Sequence, residues 1–377
     1  MTQNAGLYIH IPFCEQKCGY CDFYSITRLD LVATFVRALI KEMELQASAF
    51  QSVQFQTVFF GGGTPSLLSP TQMDQIFKAI GRCFNVHPEA EITLEANPGT
   101  LTREKMEHYR ELGINRLSLG VQSFQTKELN FLGRIHTREE VIHNMTLARQ
   151  VGFQNINLDL MTAFPGLTPE SFQQTLKQAV ALLPEHISCY TLIFEPGTPF
   201  YHQLTKGQIH SVSDEEEAAF YQQARQFLEK HGYLQYEISN YARGEAFICR
   251  HNCIYWEYQP YLGLGPSAHS FFDNQRWANV RSLQSYIRKL AAAELPIRFR
   301  ESLTLEQQIF EYIFLHLRLR RGLDLKAFRE RFGTDFTIRY RETLDRLLNN
   351  GLIEPPNGFI KLSETGWLMA DSIATYF

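Results

Sequence analysis

The sequence predicts an α/β protein: an incomplete (β/α)6 barrel of the TIM type with a C-terminal helical, winged-helix-like domain. Three observations carry that expectation. Short β-rich runs alternate with apolar residues at helical spacing through the first half of the chain. Cysteines and polar residues suited to chemistry fall at or near the C-terminal ends of those runs, the edge where barrels build their sites. From Leu303 onward the pattern changes to amphipathic helices and a short hairpin.

Strands are expected at 7–13, 57–60, 91–95, 116–121, 155–161 and 186–194, and helices at 31–50, 70–84, 102–112, 137–151 and 169–183. Ser69 before Pro70, Thr102, and Thr168 before Pro169 are start signals, because a side-chain oxygen there accepts from an otherwise unpaired N–H. Gly113 and Gly152 sit where a helix end favours positive φ. Repeated βα units imply parallel strands with helices outside them. A doubly wound sheet would satisfy the same periodicity; the motifs at one strand edge select the barrel. An acidic-capped helix at 214–232 and a β-like run at 234–241 follow. Residues 244–279 are rich in aromatics and glycine and show no period. Three amphipathic helices, 305–317, 325–332 and 336–349, precede a hairpin of 352–354 against 359–362. The domains drawn from this are a barrel at 1–240, an aromatic-rich connecting region at 241–300 and a winged-helix-like domain at 301–377. In the last, basic residues are interleaved with acidic ones, so it reads as a packing or gating module on the barrel rather than a DNA reader.

At 377 residues the chain exceeds what one core supports, roughly 250–300 residues, so a large and a smaller domain are expected. A formal net charge of −4 argues against a general nucleic-acid binder. No apolar run approaches the ~18 residues of a membrane span. The first strand begins too early to leave room for a signal peptide. Seven cysteines, three of them clustered, suggest a reducing compartment, and the expectation is a soluble cytoplasmic protein.

That cluster is the densest chemical signal. Cys14, Cys18 and Cys21 fall within eight residues, directly after the apolar run Leu7–Phe13. Three soft thiolates so spaced can grip one face of an iron–sulfur cube and leave the fourth iron without a protein ligand. Structural zinc sites usually build from CxxC pairs and need four ligands; a Cys3His site using His10 stays open on spacing alone. After a second strand come Gly61-Gly62-Gly63-Thr64-Pro65, a turn signal by itself. Glu95, Gln122 and Arg134 lie at or after later strands, and Asp159 lies inside an apolar run. A carboxylate in such a run is costly unless it is paired with a barrel neighbour or used to bind a ligand. Cys83 and Cys189 read as small buried hydrophobes, and His136, His143, His186 and His269 have no metal-like spacing.

The CxxxCxxC spacing resembles the signature of the radical S-adenosylmethionine (SAM) superfamily, in which SAM chelates the open iron of a [4Fe–4S] cluster. In order along the chain, the segment 8–14, Gly61–Pro65, Glu95-Ala96-Asn97-Pro98, Gly120-Val121-Gln122-Ser123, Leu132-Gly133-Arg134 and Asp159 resemble those of the oxygen-independent coproporphyrinogen III oxidase family. The resemblance covers at least the first two-thirds of the chain. It implies SAM contacts at Tyr8, Tyr20, Gly62, Gly63, Thr64, Glu95, Gln122, Arg134 and Asp159. Carboxylate and amide would take ribose hydroxyls, and Arg134 would pair with the methionine carboxylate.

Two departures from the oxidase are informative. Its fourth cysteine, CxxxCxxCxC, is replaced by Phe23, and only thirteen residues precede Cys14 where the oxidase has a long extension. Instead, His251-Asn252-Cys253-Ile254-Tyr255-Trp256 matches the HNxxYW motif of the family's haem-chaperone branch. The resemblance implies haem binding, with His251 as axial ligand and Tyr255 and Trp256 as planar faces. Cys249 and Cys253 flank His251 and leave thiolate ligation or attachment open. The expected partners are haem, a haem-acceptor protein and an electron donor for the cluster. The competing expectation is the oxidase itself, decarboxylating coproporphyrinogen III through a 5′-deoxyadenosyl radical.

Overall fold

The computed structural model describes residues 3–377. Its core is a run of six parallel strands: β1 (Gln3–Ile11), β2 (Val53–Gly62), β3 (Asn85–Ala96), β4 (Arg116–Gln122), β5 (Ile156–Thr162) and β6 (His186–Thr191). Helices α1 (Val32–Gln46), α2 (Pro70–Cys83), α3 (Arg103–Glu111), α4 (Thr126–Phe131), α5 (Arg138–Gln150) and α6 (Pro169–Ala181) connect them. The anticipated caps form. Ser69 and Gln72 make a reciprocal capping box, and Thr102 and Thr168 accept from the N–H groups of Lys105 and Ser171. α4 has no counterpart in the sequence reading.

The sheet is larger than the six strands expected. β7 (Leu234–Gln235), β8 (Asn240–Ala242), β9 (Tyr261–Leu264), β10 (His269–Phe272), β11 (Gln275–Asn279) and β12 (Ile297–Ser302) extend it to twelve, in the order β12-β11-β10-β9-β1-β2-β3-β4-β5-β6-β8-β7. β9 lies parallel to β1, whereas β10 to β12 add as an antiparallel meander. The aperiodic stretch 244–279 therefore supplies three strands to the barrel sheet. The two ends of the strand order do not pair, so the barrel is open.

The period of two decides what each face carries. Leu7, Ile9 and Ile11 of β1, Leu117 and Leu119 of β4, and Leu158 and Leu160 of β5 are fully buried in the apolar core. Their alternates point into the barrel. In register across the sheet, Glu95 stands beside Ser118, Ser118 beside Asn157 and Asn157 beside His186; one tier up, Gly120 pairs with Asp159 and Asp159 with Ser188. A polar interior inside an apolar jacket follows from alternation alone.

The C-terminal helices Leu305–His316, Leu325–Phe332, Phe336–Arg339 and Arg341–Asn349 bury a second core with Ile309, Ile313, Phe328 and Trp367, which also takes in Tyr258 and Phe271. The single helix expected over 336–349 breaks at Tyr340. Strands β13 (Leu323–Asp324) and β14 (Phe359–Ile360) pair antiparallel, and Ile353 bridges Leu362 to make the wing. Among the described residues no helix is long and apolar enough to cross a membrane.

Candidate functional site

A cavity of about 520 Å³ opens at the C-terminal ends of the strands. Cys14, Cys18 and Cys21 all line it, with eight of the nine residues expected to contact SAM: Tyr20, Gly62, Gly63, Thr64, Glu95, Gln122, Arg134 and Asp159. Tyr8 is the exception. It lies one tier lower, in a second chamber of about 290 Å³ that shares Gly62, Glu95, Ser118 and Asp159 with the first.

The cysteine loop is fastened to the glycine turn. Gly63 N–H donates to Ile11 O at 2.8 Å, and Thr64 N–H donates to Phe13 O at 2.7 Å. The Thr64 hydroxyl reaches Cys14 Sγ at 3.6 Å. Gly62 and Gly63 are required by packing within the chain. A Cβ on Gly63 would lie 2.6 Å from Phe13 O; one on Gly62, whose φ is +104°, would lie 2.4 Å from the His10 ring. His10 is thereby settled as a packing residue. Its Nδ1 pairs with Tyr8 OH at 3.0 Å and its Nε2 with Tyr24 O at 2.8 Å, and burial pushes its pKa down to about 4. No nitrogen remains for the Cys3His zinc site that spacing left open.

Arg134 is held by partners distant in sequence. Its Nη2 donates to Asn97 Oδ1 at 2.6 Å and Gly120 O at 2.7 Å, and its Nη1 lies 3.5 Å from Cys18 Sγ. Asn97 Nδ2 in turn donates to Thr64 Oγ1 at 3.1 Å, so one amide ties guanidinium to glycine turn. Sequence reasoning gave Asn97 no role; its place between a strand end and Pro98 was the available signal. Arg134 Nε is buried without a partner. Burial, then the neighbouring Asp159, pushes Glu95 up to about 8, and Glu95 accepts from Gly62 N–H at 3.2 Å. Asp159 is also raised by burial, against bonds from Ser118 Oγ at 2.9 Å and Asn157 Nδ2 at 2.8 Å. Gln122 follows a break in the β4–β5 register and has φ of 65°, a strained backbone at the cavity wall.

The HNxxYW residues stand elsewhere. The helix Arg250–Trp256 closes the lower chamber, its first N–H groups held by the Glu91 carboxylate. His251 is 1% exposed, bonded through Nδ1 to Thr57 Oγ1 at 2.7 Å and through Nε2 to Tyr255 OH at 2.9 Å, and stacked on Phe59. Burial pushes its pKa down to about 3. The Trp256 ring instead faces the Arg318 guanidinium at 5.6 Å. The three residues expected to contact haem are hydrogen-bonded or packed within the chain. Both ring nitrogens are committed, and Tyr255 and Trp256 do not share a face. Cys249 is equally closed, 2% exposed with its thiol on Glu91.

Fold and cavity together define a radical SAM protein. The model of the radical SAM superfamily matches residues 8–179 and that of the HemN C-terminal domain matches residues 303–369. The solved coproporphyrinogen III oxidase HemN of Escherichia coli, a radical SAM enzyme, superposes with a TM-score of 0.87 at 25% identity, covering 99% of this chain and 90% of that one. The heme chaperone HemW of Bacillus subtilis (strain 168) is 37% identical over 97% of both chains. That of Synechocystis sp. (strain ATCC 27184 / PCC 6803 / Kazusa) is 39% identical over 84% of this chain and 78% of its own. The chain belongs to the HemW family. Its superfamily implies a [4Fe–4S] cluster and SAM, and the upper cavity suits both: three thiols on one loop, and a buried guanidinium nitrogen without a partner. His251, Tyr255 and Trp256, as they stand, do not suit a haem.

Proposed function

We propose that this protein is a haem chaperone: it binds haem and passes it to an acceptor protein, using an upper cavity that holds a SAM-ligated [4Fe–4S] cluster. The observation that carries this reading is the match to a heme chaperone over 97% of both chains, which spans barrel, connecting strands and C-terminal helices alike. Phe23, standing where the oxidase type has its fourth cysteine, supports it.

On this reading Cys14, Cys18 and Cys21 hold three irons, and Thr64 steadies Cys14 through its hydroxyl. When bound, the cluster supplies an open iron for SAM and a one-electron reservoir. Arg134, already aimed by Asn97 and Gly120, presents Nε to the methionine carboxylate. Glu95, Gln122 and Asp159 take hydroxyl and amino groups of the ligand. A proton held on Glu95 at neutral pH lets that carboxyl donate as well as accept. Tyr20 closes the side beside Cys18. We place the protein in the cytoplasm.

The test is haem titration of the anaerobically reconstituted protein beside an assay of coproporphyrinogen III turnover with reductant and SAM. Haem uptake without turnover is the expected result. Turnover without haem uptake would restore the oxidase.

A further inference from the structure

We propose that the base of the lower chamber binds a small oxyanion, a carboxylate or a phosphate, on Arg116, Thr93 and Asn252. Arg116 is 2% exposed. It stands inside the barrel because β4 puts Leu117 and Leu119 on the apolar face and 116, 118 and 120 on the other. Only Nη1 is used within the chain: it donates to Asn155 Oδ1 at 2.7 Å and to Phe247 O at 3.2 Å. Nε and Nη2 have no hydrogen-bond partner among the described residues, and the side chain lines the chamber. A buried cation without a counter-charge is costly. The two carboxylates whose charge reaches it, Glu91 and Asp159, are spent on other donors. Glu91 accepts from the N–H groups of Arg250 and His251 at 3.2 and 3.0 Å and from the Cys249 thiol at 3.6 Å. Asp159 takes Ser118 Oγ and Asn157 Nδ2.

Two further donors are unspent beside it. Thr93 pairs in register with Arg116 across β3 and β4, is 0% exposed, and buries its hydroxyl without a partner. Asn252, on the helix that closes the chamber, lines it too, and its side-chain amide makes no hydrogen bond among the described residues. Guanidinium, hydroxyl and amide thus come from β4, β3 and the helix to one space of about 290 Å³. An oxyanion accepts from all three, and the guanidinium fork matches two of its oxygens. The other titratable groups there leave Arg116 as the cation at neutral pH. Burial pushes His251 down to about 3 and His186 well below its ordinary value, while Glu95, raised to about 8, keeps its proton. Asp159 is the carboxylate that opposes an anion, one tier up and already bonded. A bound oxyanion would tie the helix to two barrel strands.

The test is calorimetric titration of acetate and, separately, of inorganic phosphate into the full chain, loaded with cluster under anaerobic conditions, at constant ionic strength set with chloride. One saturable site per chain is expected for at least one of them, and the preference tells a planar from a tetrahedral ligand. Arg116→Gln should abolish that binding. Thr93→Val removes a hydroxyl that has no partner in the chain, so it should fold, and it should weaken binding about tenfold. Neither residue lines the upper cavity, so these losses report on the lower chamber alone. Arg103→Gln, which removes an exposed guanidinium from α3, should leave the affinity at the wild-type value. If Arg116→Gln fails to fold, Thr93→Val and Asn252→Leu decide. Wild-type affinity in Thr93→Val would overturn the proposal, as would the absence of saturable binding of either anion by wild type.

Discussion

Arg134 Nη1 lies 3.5 Å from Cys18 Sγ, so the guanidinium that we propose holds SAM also touches a thiol that we propose binds the cluster. Arg134→Ala should weaken SAM binding by roughly 1.5–3 kcal/mol, about 10- to 150-fold, through loss of a charged hydrogen bond. Anaerobic calorimetry with SAM checks this, and iron content should stay at the wild-type level. Arg134→Lys should rescue little, because an ammonium cannot reach Asn97, Gly120 and a ligand together as the fork does.

Replacing any one of Cys14, Cys18 and Cys21 by Ala leaves two thiolates on the loop. Iron content and the broad visible absorption should collapse in each variant, while Cys83→Ala, which alters a helix-borne thiol, should change neither. Stoichiometric zinc and no iron in anaerobically purified wild type would contradict the cluster.

His251→Ala should destabilise the apo protein by about 2–4 kcal/mol, because it empties a buried ring and strands the hydroxyls of Thr57 and Tyr255. Urea unfolding followed by circular dichroism measures it. An unchanged midpoint would show that the ring does not hold the lower chamber closed.

Much of this molecule was legible locally. The period of two along β1 to β6 is written in the chain, so polar residues at 95, 118, 157 and 159 had to share one face once the outer face was apolar. Helix starts at Ser69, Thr102 and Thr168 needed only a side-chain oxygen and its neighbours. What stayed hidden depends on partners far along the chain. β9 is four residues long and is defined by lying beside β1, a pairing no local period encodes. The direction of the His251 ring was equally unreadable, since one seven-residue helix turns Tyr255 inward and Trp256 toward Arg318. The role of Asn97 depends on Arg134, which lies in another βα unit.

Gly62→Ala should cost stability before it touches any ligand. The backbone there has φ of +104°, a region in which a side chain costs about 1–3 kcal/mol. The new methyl group would also meet the His10 ring, which is fixed at both nitrogens. Thermal unfolding of the apo protein should show a clear loss. Gly81→Ala, in the helical stretch of α2 with open space around its Cβ, should be neutral or stabilising.

Glu42 offers a prediction about pH that is independent of any cofactor. It is fully buried on α1 and accepts from Gly265 N–H at 2.8 Å, Asn279 Nδ2 at 2.6 Å and Tyr286 OH at 2.5 Å. Burial outweighs these bonds and pushes its pKa up to about 7 from 4.5. The folded state therefore keeps a proton that the unfolded chain has lost between those two values. The stability this group contributes is complete below 4.5 and drains away as pH rises toward 7, at up to about 1.4 kcal/mol per pH unit. Buried histidines such as His10 and His251 work in the opposite sense, losing stability as pH falls below 6.5, so the wild-type curve alone hides the effect. The difference between Glu42→Gln and wild type removes them. Glutamine carries no proton to lose, so the variant's stability relative to wild type should rise steadily from pH 5 to pH 7. A difference that stays flat across that range would mean that Glu42 is already ionised in the folded protein at pH 5.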